Sequence, residues 1–289
     1  MPNKQLLAYR RYAGIGDWIM ALSVLKMVNQ QRPDIDITIN TKAINLHRGD
    51  VKPMDLPSLT TDFIKDCDVD IKDYIYEMYP TGSTDKYDIL SGYMKYRKRA
   101  GINFVKSMVQ QFNRHTGLNI QYDPNIKARF TGTDNPTPEI AKLKPYVLIQ
   151  SCSKRRHRTQ QWKDYGADNM QVIANHLKSE VNVVQVGRKG TIALNGMAAM
   201  YFSSSLPTFH KLMKNCVAFI GLDGMLGVYA ANHDIPHYII YSGKFNFNWT
   251  DFPQRLQVNG NNLKPKQISE IIIKKLRGII ISKMLMGSR

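Results

Sequence analysis

Cysteine is scarce in this chain of 289 residues. Cys67, Cys152 and Cys216 stand far apart, with no CxxC or HxxxH spacing beside them. That excludes a disulfide framework and a structural zinc site, and the three read as ordinary free thiols. Long apolar runs are missing too. No window approaches the ~18 consecutive apolar residues of a membrane-crossing helix. Met1 to Tyr9 lack the charged, apolar, then small-residue progression of a secretory signal, so the expected location is the cytoplasm. Acidic residues are the third scarcity, at 23 Asp and Glu against 40 Lys and Arg, a net charge of +17. The deficit is lopsided. Residues 1–140 hold 16 acidic and 19 basic side chains, whereas residues 141–289 hold 7 and 21. A diphosphate site needs only a few cations, so a surplus of this size points to a polyanionic partner, either nucleic acid or phosphorylated glycolipid, or else to solubility alone.

What is present is 43% hydrophobic content, enough for a sizeable core, in a chain longer than a single core usually supports. The expected architecture is α/β in two domains. Gln5 to Tyr9 reads as a strand, Trp18 to Gln31 as a helix ending before Pro33, and Ile35 to Asn40, with Ile at alternate positions, as a second strand. That is a βαβ unit opening a parallel sheet. Residues 41–75 resist assignment, and helices are expected within Lys86 to Arg114. Three prolines between Thr131 and Pro145 mark a linker. Strands at Tyr146 to Gln150, Val181 to Val186, Val217 to Ile220 and His237 to Tyr241 then alternate with helices near Tyr165 to Lys178, Leu206 to Met213 and Met225 to Asn232. A long helix from Lys264 to Met284 carries Ile268, Ile271, Ile272 and Leu276 on one face. The expected domains are residues 1–135, residues 136–265 and a terminal helix over residues 266–289.

Chemistry is expected at the strand-to-helix turns. Gly14-Ile15-Gly16-Asp17 puts flexible backbone at a helix start, where amide groups and the helix dipole favour an anion. Ile19 stands where a dinucleotide fingerprint needs a small residue, and no GK[ST] follows, so neither a dinucleotide fingerprint nor a P-loop is present. Asp17 remains, either as a general base for an acceptor hydroxyl or as a cap on its own helix.

Three stretches carry a family resemblance: GIGDWIMALSVLKMVNQQRPDIDITI at the start, Tyr146 to Trp162 followed by VVQVGRKG, and NCVAFIGLDGMLGVYAANHDIPHYIIYSG. In this order they resemble the heptosyltransferase-like, family 9 glycosyltransferases, inverting enzymes of the GT-B type. The resemblance implies two Rossmann-like domains facing across a cleft, with a C-terminal helix crossing back. It puts Asp17 on the family's catalytic aspartate, and Asp223, Gly224 and Met225 on the donor-binding turn. Gly16, Ser151, Gly187 and Arg188 complete the expected donor set. Two positions depart from the pattern: Val228 replaces a histidine, and Gln160 replaces a lysine.

Phosphate neutralisation lost at Gln160 is expected from Lys154, Arg156 and Arg158 in the run KRRHR, since arginine forks onto phosphate oxygens. The same run also reads as a nucleic-acid contact or a solvated cluster. Tyr93, Lys95, Tyr96, Arg97 and Arg99 interleave aromatics with cations, which suits a phosphate backbone with exposed bases, or an amphipathic helix with its tyrosines inward. Asp66-Cys67-Asp68-Val69-Asp70 contains the DxD pattern of metal-dependent transferases but sits in the half without the donor signature, so no metal is expected.

The expected reaction is therefore metal-independent and inverting, with a nucleotide-sugar donor, UDP-sugar favoured, and no further cofactor. The charge favours DNA carrying hydroxymethylated pyrimidines as acceptor, as for bacteriophage DNA-modifying transferases, with host cytoplasm as the location in that case. Lipopolysaccharide core is the alternative acceptor, and a non-catalytic nucleic-acid-binding protein on a transferase scaffold is the second alternative.

Overall fold

The computed structural model describes residues 4–8, 15–40, 42–45, 52–55, 58–75, 103–151, 165–222, 224–241, 255–259 and 262–287. Of these, everything up to Thr131 belongs to one compact unit and everything from Gly132 to a second.

In the first unit, β1 (Lys4–Ala8), α1 (Ile15–Gln31) and β2 (Ile35–Asn40) form the expected βαβ unit, with Leu6 opposite Ile37 in parallel register. β2 pairs in turn with β5 (Asp73–Ile75), while β3 (Lys42–Asn45) and β4 (Lys52–Asp55) make a separate antiparallel pair. Helix α1 is apolar on nearly every side, with Trp18 to Leu22, Val24, Leu25, Met27 and Val28 all buried. A helix of that kind belongs at the centre of a domain rather than on its surface. It lies against β2, α2 (Ser58–Lys65) and α3 (Phe104–Thr116). Each such side chain contributes about 1.5–3 kcal/mol by leaving water. Ser23, the polar exception, donates to the Ile19 carbonyl and accepts the Ala128 N–H, both at 3.0 Å. Helix α3 begins on Asn103, whose side chain accepts the Lys106 N–H, and ends on Gly117 in the left-handed region at φ 71°. Both are the residue types those ends favour.

The second unit opens with a short helix α4 (Pro138–Ala141), capped by Thr137. It is then built on one parallel sheet: β6 (Tyr146–Ile149), β7 (Asn182–Gly187), β8 (Ala199–Phe202), β9 (Phe219–Leu222), β10 (His237–Tyr241) and β11 (Arg255–Asn259). The spatial order is β11-β10-β9-β6-β7-β8. The chain thus runs outward from β6 to one edge, returns to β9 beside β6, and runs outward to the other edge. Strand order reverses between β6 and β9, the switch point at which ligands of such sheets bind. Helices α5 (Ala167–Leu177), α6 (Leu206–Asn215), α7 (Met225–Asn232) and α8 (Pro265–Gly287) complete the unit. α8 packs on α5 and buries Ile268, Ile272 and Leu276 in this unit's core, with Ile271 only half-buried.

Candidate active site

The geometry of the second unit converges on the carboxyl ends of β6, β7 and β9. Strands β6 and β9 approach closely. A Cβ on Gly221 would fall 3.0 Å from the Gln150 Cβ and 2.5 Å from the Phe219 ring, so only glycine fits. Beyond β9, Gly224 stands at the N-cap of α7 in extended conformation, with no side chain to cap the helix. A Cβ added there would meet no described atom within 4 Å. The first intrahelical bond runs from the Val228 N–H to the Gly224 carbonyl at 3.2 Å. By helix geometry the amides of the preceding turn have no carbonyl within the helix to bond, and they carry the positive end of its dipole. α7 lies tight against β10, where a Cβ on Gly227 would come 2.7 Å from the Ile239 Cδ1. Val228, at the position of the family histidine, is buried.

At the end of β7, Gly187 and Arg188 turn the chain. The Ser203 N–H bonds to the Gly187 carbonyl at 2.8 Å, and the Arg188 N–H to the Thr191 Oγ1 at 3.0 Å. A Cβ on Gly187 would collide with the Thr191 side chain. Arg188 is exposed. Ser151 faces inward. Its hydroxyl donates to the Ile192 carbonyl and accepts from the Gln185 Nε2 at 2.8 Å, so the side chain braces the turn. Gln185, fully buried within β7, also donates to the Ile192 carbonyl at 2.7 Å and accepts the Leu194 N–H at 2.8 Å. Sequence reasoning missed Gln185; the signal was one amide among the valines of VVQVG. The buried Gln150 Oε1, where β6 leaves the sheet, has no hydrogen-bond partner among the described residues.

In the first unit, Gly16 and Asp17 are half-buried in the first turn of α1. Asp17 is the third residue of the helix, not its N-cap, so its structural role is to complement the helix dipole from within the turn. The DxD carboxylates have structural partners. Asp68 pairs with the Lys26 ammonium and accepts the Arg129 N–H at 2.7 Å, and Asp70 pairs with Lys72 at 2.9 Å. Cys67, between Asp66 and Asp68, is buried, its thiol pushed up to about 12, first by burial, so it is an inert hydrophobe. Among the described residues no cluster of three metal-ligating side chains occurs.

Topology thus brings Ser151, Gly187, Arg188, Gly224 and Met225 to one edge of one sheet, from stretches up to 74 residues apart in sequence. Asp223, Lys154, Arg156 and Arg158 lie outside the described residues, as do Tyr93, Lys95, Tyr96, Arg97 and Arg99. No described helix is long and apolar enough to cross a membrane.

The sequence matches no protein-family profile and no curated protein. Solved structures do match. The E. coli ADP-heptose lps heptosyltransferase II superposes with a TM-score of 0.62 at 11% identity, covering 97% of this chain and 99% of that one. The E. coli heptosyltransferase WaaC with ADP gives 0.61 at 11% identity, covering 93% and 99%. A glycosyl transferase family 9 protein of Veillonella parvula gives 0.62 at 8% identity, covering 96% and 97%. The likeness runs through both units, and the chain has the GT-B fold in its heptosyltransferase-like form.

Proposed function

We propose that the protein is an inverting, metal-independent glycosyltransferase that moves a sugar from a nucleotide-sugar to a hydroxyl on a phosphorylated glycolipid. The observation that carries this reading is the uncapped start of α7 at the switch point of a doubly wound sheet, within a chain that matches heptosyltransferases from end to end. Helix N-termini of this kind bind phosphate. In the proposed step the acceptor oxygen bonds to the anomeric carbon as the bond from that carbon to the diphosphate breaks. Asp17 takes the acceptor proton. The amides at Gly224 and Met225, together with Arg188, Lys154, Arg156 and Arg158, meet the charge that develops on the leaving nucleoside diphosphate, and oriented donors of this kind replace a cation. Asp223 holds the sugar's hydroxyls.

An ADP-sugar is favoured over the UDP-sugar that the sequence suggested, because one solved relative is an ADP-heptose lps heptosyltransferase and another is a heptosyltransferase with ADP. They also favour a lipopolysaccharide-type acceptor over modified DNA. The basic surplus after residue 140 suits either polyanion, and it is the observation that keeps DNA as the second reading.

The test is transfer of labelled sugar from ADP- and UDP-sugars, in the presence of chelator, onto lipopolysaccharide core, DNA containing hydroxymethylated pyrimidines, and unmodified DNA. Label in the glycolipid that disappears in Asp17→Ala supports the proposal. Label in modified DNA alone moves the acceptor to DNA. Label in none of them, with intact nucleotide binding, refutes the catalytic reading.

A further inference from the structure

We infer that Asp134, His210 and Tyr229 form a hydrogen-bonded relay that ties the loop opening the second unit to α7, making all three positioning residues for the donor nucleotide. The inference rests on the donor reading of α7 given above.

Asp134 lies in the loop before α4, at the start of the second unit. Its Oδ1 is 2.7 Å from the Nε2 of His210 on α6, and the opposite ring nitrogen, Nδ1, bonds to the Tyr229 hydroxyl on α7. His210 and Tyr229 are buried, whereas the Asp134 side chain is 59% exposed. A neutral imidazole satisfies both bonds in one tautomer: Nε2–H donates to the carboxylate, and Nδ1 accepts from the hydroxyl. Burial holds the His210 pKa below its ordinary value, outweighing the attraction of Asp134. Burial alone would raise the Asp134 carboxyl, but the bond from His210 and the charge of Lys214 bring it below the usual carboxylate range.

The loop is held at three points. Lys214, also on α6, is 3.4 Å from the Asp134 Oδ2, and the Asn215 amide donates to the Asp134 carbonyl at 2.7 Å. The Tyr229 ring is gripped as firmly as its hydroxyl. His233 stacks on it at 4.1 Å and donates from Nδ1 to its carbonyl at 3.0 Å, while Phe209 meets it edge-on at 4.9 Å.

A buried tyrosine does not need such a chain. In the same unit the Tyr146 hydroxyl simply donates to the Leu212 carbonyl at 2.8 Å. Tyr229 is instead linked through an imidazole to a carboxylate on an exposed loop, and it sits one turn beyond Met225, where the diphosphate is proposed to bind. α7 has only eight residues, so a shift of Tyr229 moves the amides of its first turn.

The test compares wild type with Asp134→Ala, Tyr229→Phe and the double variant, reading amide hydrogen exchange in α7, ADP affinity by calorimetry, and Tm. Asp134→Ala removes the acceptor of the His210 bond from an exposed position, so Tm should hold within about 2 °C. Exchange in α7 should nevertheless rise, and ADP should bind about 3- to 10-fold more weakly. The double variant should be no worse than Tyr229→Phe alone. In turnover the donor KM should rise while kcat holds. ADP binding by wild type with unchanged affinity and unchanged α7 exchange in Asp134→Ala overturns the relay. Wild-type protein that binds neither ADP nor UDP sinks the donor reading, and the positioning role with it.

Discussion

Two strand-to-helix turns, one in each unit, face the same electrostatic problem and resolve it in opposite ways. α1 carries a carboxylate, Asp17, inside its own first turn. α7 starts from a glycine, has no acidic residue in its first turn and has no side-chain cap. A helix N-terminus attracts negative charge worth about 0.3–1 kcal/mol at an exposed site. In the first unit the helix supplies that charge itself, and in the second no described side chain does. In the proposed reaction the contrast gives proton transfer to one unit and phosphate binding to the other.

Breaking the first half of the contrast should have the largest effect. Asp17→Asn removes the proposed base, and sugar transfer should fall by about 10²- to 10⁴-fold in kcat while ADP affinity stays at the wild-type value. A parallel loss of ADP binding would place Asp17 in the donor site and erase the division of labour. The second half is broken by making α7 resemble α1. Gly224 is extended and a Cβ there meets no described atom, so Gly224→Asp fits without strain and becomes an N-cap. The helix should gain about 0.5–2 kcal/mol. ADP affinity should fall at least ~10-fold, because a fixed carboxylate then competes with the diphosphate for the same amides. More stable protein with a weaker ligand is an outcome that general damage does not produce.

A smaller effect is expected from Gly227→Ala. The added methyl displaces only the end of the Ile239 side chain, and alanine favours the helix by about 0.5–1 kcal/mol over glycine, so denaturant unfolding should change by less than about 1 kcal/mol, with ADP affinity reduced less than in Gly224→Asp. The smallest is a difference in acid sensitivity between the units. His210 lies in the second unit with its pKa depressed by burial, so its stabilising effect is complete above the unfolded value of ~6.5. As pH falls below that value the unfolded state takes up a proton first and stability declines, levelling off only below the depressed folded value. Amide protection, corrected for the intrinsic pH dependence of exchange, should therefore fall from about pH 7.5 to about pH 5 in α6 and α7 more than in α1, and His210→Gln should flatten the difference.

How much of this was legible in the sequence follows from how local each signal is. The βαβ opening, the switch-point strands and α7 carry their patterns within a few residues, and β2, α7 and β10 have the limits that periodicity suggests. β8 and β11 were missed because edge strands are half-exposed; AMYF alternates only partially, and RLQVN is more than half polar. The β3–β4 pair, α2 and β5 fall in the Asp-, Pro- and Thr-rich stretch, where the elements are short, and α2 and β5 are held by α1 and β2, distant in sequence. Within the site, Gly224 and Met225 were legible because strand, turn and helix are contiguous. The engagement of the Ser151 hydroxyl by Gln185, 34 residues away, was not. His210 pairs with residues 76 positions before it and 19 after it, a combination no spacing rule anticipates.

The most direct measurement is a titration of isotope-labelled protein with ADP, following backbone amide shifts in both turns. The account predicts the largest changes at Gly224, Met225 and Leu226, with Gly16 and Asp17 nearly still. Changes centred on Gly16 and Asp17, or ADP binding with the α7 turn unmoved, would contradict it.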